Sequence, residues 1–201
     1  MQLIIFFNGW GMDKNTIDHL YLEKGYKLEC LSFPYSTSHI NFSDFKKIFV
    51  VGWSFGVFYA SKFILENPNL KCSSIAINGT PYIIGRFGIS PKMFTLTLKT
   101  ISNENILKFY DNMGAPRDLF KEKIDLKKLE DELLYILENQ PTRHISFDKV
   151  FLGKMDRIIP YSKQSKFYQN ENSHVIRLEC EHYPFKSFIS WRNIISETNE
   201  F

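Results

Sequence analysis

One segment of this 201-residue sequence sets its architecture: Ile48-Phe49-Val50-Val51-Gly52-Trp53-Ser54-Phe55-Gly56. An apolar run leads into Gly-x-Ser-x-Gly, and apolar residues at helical spacing follow from Val57 to Asn67. A strand, a sharp turn that carries serine and a helix together form a nucleophile elbow, which raises the serine hydroxyl above the end of a sheet. The two glycines leave room where side chains would collide with the neighbouring strand and helix. We therefore predict Ser54 as a nucleophile; the alternative is a serine that merely turns the chain.

Further apolar runs on both sides of the elbow predict a parallel sheet. A run that is apolar at successive positions, such as residues 3–7, is typical of a strand buried on both faces. Helical spacing extends from about Asp13 to Lys24 and again from about Phe185 to Ser196. Strands that alternate with helices indicate an α/β fold, with a mostly parallel sheet covered by helices on both faces. The other candidate strands are Tyr26–Leu31, Ser73–Ile77, Lys149–Gly153 and His174–Leu178.

The pattern changes between residues 82 and 144, where the sequence is mixed and helical. Open α/β sheets place their sites at the carboxyl ends of the strands, so we expect this insertion to form a helical lid there. The chain, residues 1–201, is then a single domain whose core comprises about 1–81 and 145–201. The predicted helices of the insertion are Lys92–Ile101, Glu104–Met113 and Leu126–Gln140.

A serine hydroxyl needs a base to remove its proton and an acid to orient that base. In enzymes with a nucleophile elbow the acid and then the histidine follow the serine along the chain, each in a loop after a strand. Asp156 and His182 occupy these two positions, and we predict them as the orienting acid and the base. The competing residues lie in helical or polar stretches, before a strand or at its first residue; they are His19, His39, His144, Asp148 and His174.

The tetrahedral intermediate of acyl transfer needs hydrogen-bond donors directed at its oxyanion. We expect the first donor to be the backbone N–H of Phe55, which follows the serine at the start of a helix. The second is expected from the loop Asn8-Gly9-Trp10-Gly11 after the first strand, namely the backbone N–H of Trp10, with its indole as a wall of the pocket. A packing role for the indole is compatible with this, because the main chain supplies the donor.

These motifs resemble a known family. The segments Phe6-Phe7-Asn8-Gly9-Trp10-Gly11-Met12-Asp13 and Val51–Gly56 are similar to those of BioG-type pimeloyl-acyl-carrier-protein methyl ester esterases, short α/β hydrolases of biotin synthesis. The resemblance extends over Asn78-Gly79-Thr80-Pro81, the Asp156 loop and His182-Tyr183-Pro184-Phe185. It implies hydrolysis of the methyl ester of pimeloyl on acyl carrier protein, with Ser54, His182 and Asp156 as the triad and Trp10 and Phe55 as the oxyanion donors.

Basic residues are in excess between Arg86 and Lys128, where nine Lys and Arg face five Asp and Glu, a net charge of +4. Acyl carrier proteins are strongly acidic, so the resemblance implies that a basic lid would steer the carrier-bound substrate. An ordinary solvated helical surface is the alternative. The candidate partner-binding residues are Arg86, Arg117, Lys121 and Lys123.

The composition excludes several other classes. The net charge of the whole chain, +3, is too small to indicate binding of nucleic acid. No apolar run approaches the roughly 20 residues of a membrane span. Cys30, Cys72 and Cys180 are widely spaced without a metal-ligand pattern, which favours reduced thiols. We expect a cytoplasmic monomer that needs neither a metal nor an organic cofactor.

Two other functions remain open on the sequence. A general short-chain carboxylesterase or a thioesterase would use the same elbow and the same triad. A non-catalytic protein of this fold that holds an acyl carrier would not need a working triad, whereas Ser54, Asp156 and His182 are all present.

Overall fold

The computed structural model describes residues 1–116, 119 and 124–196, and within them six strands form one sheet. The strands are β1 (Gln2–Phe7), β2 (Tyr26–Leu31), β3 (Lys47–Trp53), β4 (Ser73–Ile77), β5 (Lys149–Gly153) and β6 (His174–Leu178). Their order is β2-β1-β3-β4-β5-β6, and every neighbouring pair is parallel. Because all strands run in one direction, the loops at their carboxyl ends meet along one edge of the sheet.

Successive side chains of a strand point to opposite faces of the sheet, and helices cover both faces. The helices are α1 (Gly56–Glu66), α2 (Pro91–Lys99), α3 (Asn103–Asn112), α4 (Leu126–Glu138), α5 (Tyr161–Tyr168) and α6 (Trp191–Ile195). Phe7 of β1 packs against Phe63 of α1, while Phe6 packs against Trp191 of α6, with ring centroids 5.5 Å apart in both pairs. The predicted α/β architecture, a parallel sheet between helical layers, is therefore confirmed.

The helices between β4 and β5 agree with the predicted ones to within two residues at each end. Each of them begins at a side-chain cap, in which an oxygen accepts a hydrogen bond from a backbone N–H of the first turn. The caps are Ser90, Ser102 and Asp125. The second and third of these helices pack over the loop after β1, where Trp10 contacts Phe109 of α3 and Leu129 of α4.

Two helices predicted near the ends of the chain are wrong in extent. The stretch from Asp13 to Lys24 holds only a short 3-10 turn, Lys14–Thr16, followed by irregular turns. The backbone of Tyr21 instead exchanges hydrogen bonds with Ile189 and Trp191. The helix predicted from Phe185 is divided, because Ser190 starts α6 with its own capping box.

Candidate active site

Ser54 lies in the turn between β3 and α1 with its backbone in the left-handed region, at φ 56°. A residue other than glycine is strained in this region and is held there by its surroundings. The flanking glycines are required on steric grounds. A Cβ added to Gly52 would lie 2.6 Å from the carbonyl oxygen of Gly56, and one added to Gly56 would lie 1.9 Å from that of Phe7. Strand, turn and helix are thus packed too closely for any other residue at these two positions.

Ser54 begins a buried chain of hydrogen bonds. Its Oγ lies 2.8 Å from Nε2 of His182, and Nδ1 of His182 lies 2.8 Å from Oδ2 of Asp156. The serine is 4% exposed, the aspartate 6% and the histidine 1%. With Nδ1–H donating to the carboxylate, Nε2 is the ring nitrogen that can accept the serine proton. The structure therefore brings together the three predicted residues in an arrangement that can generate a serine nucleophile.

Asp156 is oriented by donors from the segment that follows it. Its Oδ1 accepts hydrogen bonds from the backbone N–H groups of Ile158 and Ile159, at 2.9 and 3.0 Å. Its Oδ2 accepts from Nε2 of Gln164, on α5, at 2.9 Å in addition to the His182 contact. These donors offset the cost of burying a carboxylate. Gln164 could not be identified from the sequence, since only the folded chain brings it to Asp156.

Two further side chains that the sequence analysis did not assign hold the loop of His182. Asn78, directly after β4, donates to the backbone carbonyls of Glu181 and His182, each at 3.0 Å. Its Oδ1 accepts from the Gly153 N–H at 2.6 Å. The indole N–H of Trp53 also donates to the His182 carbonyl, at 3.0 Å. One sequence signal could have identified Asn78: it follows a buried strand directly, in Asn78-Gly79-Thr80-Pro81.

The two expected oxyanion donors lie beside Ser54. A Cβ added to Gly9 would lie 3.4 Å from the Cβ of Ser54, so the loop after β1 passes directly over the serine. The rings of Trp10 and Phe55 are 6.2 Å apart. In the described part of the chain no hydrogen-bond acceptor faces either backbone N–H. Both donors are thus available to a ligand oxygen at Ser54.

A cavity of about 750 Å³ opens next to Trp10. Its mainly apolar walls come from α2, α3 and the segment after Asp156, and they include Met93, Phe109 and Ile158. Trp10 is itself a wall of the cavity and packs against Phe55, the residue after Ser54. The volume lies within the roughly 300–1,000 Å³ of small-molecule sites. Ser54 does not line the cavity; the indole of Trp10 stands between the cavity and the ring of Phe55.

Of the four candidate partner-binding residues, Arg86 is described; it is exposed, with its guanidinium 5.2 Å from the ring of Phe87. Arg117, Lys121 and Lys123 lie outside the described residues. Across residues 1–116, 119 and 124–196, no group of His, Cys, Asp and Glu could hold a metal ion. In the same ranges no helix has the length and apolar character needed to cross a bilayer.

Comparison with known proteins gives one family. A family model described as "Pimeloyl-ACP methyl esterase BioG" matches residues 1–194. The chain is 29% identical over 197 residues to a malonyl-[acyl-carrier protein] O-methyltransferase of Bacteroides fragilis; the match covers 92% of this chain but only 40% of that protein. It is 24% identical over 212 residues to a pimeloyl-[acyl-carrier protein] methyl ester esterase of Legionella pneumophila, covering 92% and 89% of the two chains.

A solved structure supports the same grouping at the level of the fold. The crystal structure of BioG from Haemophilus influenzae matches with a TM-score of 0.85 at 24% sequence identity. The match covers 96% of this chain and 94% of that one. With its parallel six-stranded sheet and its likeness to solved hydrolases, the molecule has the α/β-hydrolase fold.

Proposed function

The chain belongs to the pimeloyl-ACP methyl esterase BioG family, and on that premise we propose that it hydrolyses the methyl ester of pimeloyl-acyl carrier protein in biotin synthesis. Ser54 is the nucleophile, His182 the base and Asp156 the orienting acid of this proposal. The observation that supports it most directly is the buried chain of two 2.8 Å contacts through His182. The Legionella relative carries this activity in its name.

In the first half of the reaction, Oγ of Ser54 attacks the carbonyl carbon of the methyl ester while Nε2 of His182 takes the hydroxyl proton. The oxyanion of the tetrahedral intermediate accepts hydrogen bonds from the backbone N–H groups of Trp10 and Phe55. Collapse breaks the bond between the carbonyl carbon and the methoxy oxygen. His182 gives its proton to that oxygen, so methanol leaves and an acyl ester remains on Ser54.

In the second half, a water molecule attacks the acyl ester on Ser54, and His182 removes a proton from that water. The oxyanion forms at the same backbone donors. Collapse releases Oγ, which recovers its proton from His182, and the acyl group departs as a carboxylic acid. The sum is one ester and one water converted to one acid and one methanol.

The cavity supports an acyl substrate of this kind. A pimeloyl group carries the methyl ester at one end and the carrier thioester at the other, so its methylene groups must lie between Ser54 and the surface. The apolar walls at Met93, Phe109 and Ile158 suit methylene groups. The basic excess of residues 86–128 supports an acidic protein as the carrier of the substrate.

The proposal is tested with pimeloyl-acyl-carrier-protein methyl ester and a short p-nitrophenyl ester as parallel substrates. We expect the wild type to cleave both and to leave the thioester intact. Ser54→Ala should lose activity by roughly 10⁴-fold or more, because the nucleophile is removed. The matched control is Ser61→Ala, a buried serine on α1 whose hydroxyl oxygen accepts a hydrogen bond from the Ile145 N–H at 3.3 Å. This control should keep its activity.

The other outcomes separate the alternatives. Turnover of the small ester alone would replace the proposal by a general carboxylesterase, and loss of the carrier thioester would indicate a thioesterase. A serine-directed fluorophosphonate should label Ser54 in the wild type. A protein that neither hydrolyses an ester nor takes up this label would be a non-catalytic binder.

A further inference from the structure

Helix α4 is attached to the Trp10 loop, residues 8–11, by contacts that the mechanism above does not use. The indole N–H of Trp10 donates to the backbone carbonyl of Leu129 at 3.0 Å. Gly11 has φ 71°, and a Cβ there would lie 2.8 Å from Cδ2 of Leu129. The next turn of the helix directs Glu132 toward the same loop. The loop with one proposed oxyanion donor is thus packed directly against α4.

Glu132 is a buried carboxyl group, only 2% exposed. The hydroxyl of Tyr35 bridges it to the loop, lying 3.1 Å from Oε1 of Glu132 and 2.8 Å from the carbonyl oxygen of Asn8. The backbone N–H of Gly11 is close enough to the carboxyl group to favour its ionised form. Glu132 therefore interacts with both ends of the Trp10 loop, with Asn8 through Tyr35 and with the backbone of Gly11 directly.

The surroundings of this carboxyl group are mostly uncharged. The ring of Tyr59 lies 3.9 Å from that of Tyr35, and its buried hydroxyl lies beside Glu132. Removal from water raises the pKa of Glu132 to about 8, against the opposing effects of Tyr35, Lys128, Tyr59 and the Gly11 N–H. At neutral pH the group is therefore mainly an uncharged acid. Among the described residues, the other charged groups around the small cavity that Glu132 lines are Asp13, Asp125 and Lys128.

We propose that Glu132 is a positioning residue, which acts through Tyr35 and Gly11 to hold the Trp10 N–H where the oxyanion forms. This inference rests on the proposed esterase function. Negative charge develops in the transition state beside Trp10, the neighbour of Gly11. A buried carboxylate on α4, packed against this loop, would oppose that charge in surroundings of low dielectric, whereas a neutral acid does not.

The test is the pH dependence of kcat and KM for a short p-nitrophenyl ester between pH 6.5 and 9.5. In the wild type, kcat should fall about tenfold between pH 7 and pH 9 as Glu132 loses its proton, with little change in KM. Glu132→Gln keeps the shape but cannot ionise, so its kcat should show no such fall. The matched control is Glu138→Gln, an exposed residue on the same helix, which should keep the wild-type profile.

A second variant covers the case in which Glu132→Gln does not fold. Tyr35→Phe removes the bridge to the carbonyl of Asn8, and it should lower kcat several-fold at every pH without raising KM. An identical alkaline fall in the wild type and in Glu132→Gln would overturn the inference. An unchanged kcat in Tyr35→Phe would overturn it as well.

Hydrogen exchange separates this inference from the proposed function, because it does not require activity. Above pH 8 the backbone amides of residues 9–11 should exchange faster in the wild type than in Glu132→Gln at the same pH. Equal exchange would contradict the positioning role. A protein that hydrolyses no ester but shows the difference in exchange would refute the esterase proposal and leave Glu132 as the residue that holds the loop.

Discussion

Asn78 and Ser54 end neighbouring strands with positive backbone φ angles, 44° and 56°. Such angles persist only where the surroundings fix them. For Asn78 the fixing contacts are three side-chain hydrogen bonds, which join the end of β4 to Gly153 and to the loop of His182. The position of the His182 imidazole thus depends on an amide that the proposed mechanism never uses.

Replacing Asn78 by alanine tests this dependence. We expect Asn78→Ala to lower the free energy of unfolding by about 2–4 kcal/mol, because it leaves buried backbone groups without partners. Its kcat for a short ester should fall at least about tenfold as the His182 loop loosens. Urea unfolding and steady-state hydrolysis measure the two effects.

The matched control for this substitution is Asn67→Ala, which removes an amide that donates to the carbonyl of Phe63 on α1, at 2.8 Å. It should cost about 1 kcal/mol or less and leave kcat unchanged. Equal stability of the two variants, with full activity in both, would show that Asn78 does not hold the loop.

At the level of elements, the sequence predicts best where local pattern and burial agree. The strands were found because central parallel strands are apolar on both faces, as residues 3–7 are. The helix predicted after Asp13 is wrong because Ile17 and Leu20, which have helical spacing, are buried in turns. Helix α5 was not predicted, because its sequence is largely polar and its burial of Gln164 and Phe167 depends on the neighbouring strands.

The candidate site likewise contains residues that the local sequence predicts and residues that it does not. Ser54, Asp156 and His182 could be predicted because each follows a strand in a recognisable order. Gln164 and Glu132 could not, because their partners are distant in sequence and neither lies in a motif. A polar residue in a helix is ordinarily exposed, and only the packing of α5 and α4 shows that these two are buried.

The helical insertion is the element on which recognition of a carrier should depend. Reversing Arg86, Arg117, Lys121 and Lys123 to glutamate should raise KM for the carrier-bound ester about tenfold at low salt, because attraction to an acidic partner is lost. KM for the short ester should not change. Steady-state kinetics with both substrates, at low and high ionic strength, measures this.

A matched control reverses Lys46 and Lys71, exposed residues near the amino ends of β3 and β4, away from the proposed site. These changes should leave both substrates unaffected. Equal effects of the insertion variant on the two substrates, or no effect on either, would argue against a carrier-binding role for these basic residues.

On the scale of the whole molecule, the three cysteines lie in separate regions. The pKa and the reactivity of each thiol depend on the complete fold. Burial raises the pKa of Cys30 to about 12 and those of Cys72 and Cys180 to about 11. All three are free thiols. Since the thiolate is the reactive form, each should be a poor nucleophile while the protein is folded.

The reaction with a thiol-specific disulfide reagent at pH 8 measures this protection. A thiol with a pKa of 11 is about 0.1% thiolate at that pH, so the native protein should react slowly. In guanidinium chloride all three thiols should react quickly, because unfolding restores ordinary pKa values. Fast reaction of the native protein would show that these regions open far more readily than their burial indicates.

The strand order leaves β2 and β6 at the two edges of the sheet in the described chain. An edge strand offers backbone groups on which a strand from another molecule could add. Charged side chains stand along both edges: Lys27 and Glu29 form an ion pair at 2.7 Å on β2, and Arg177 is exposed on β6. An incoming strand would have to strip water from these charges. We therefore expect these charges to disfavour edge-to-edge association of the folded protein, even at the high concentrations used for crystallisation or storage.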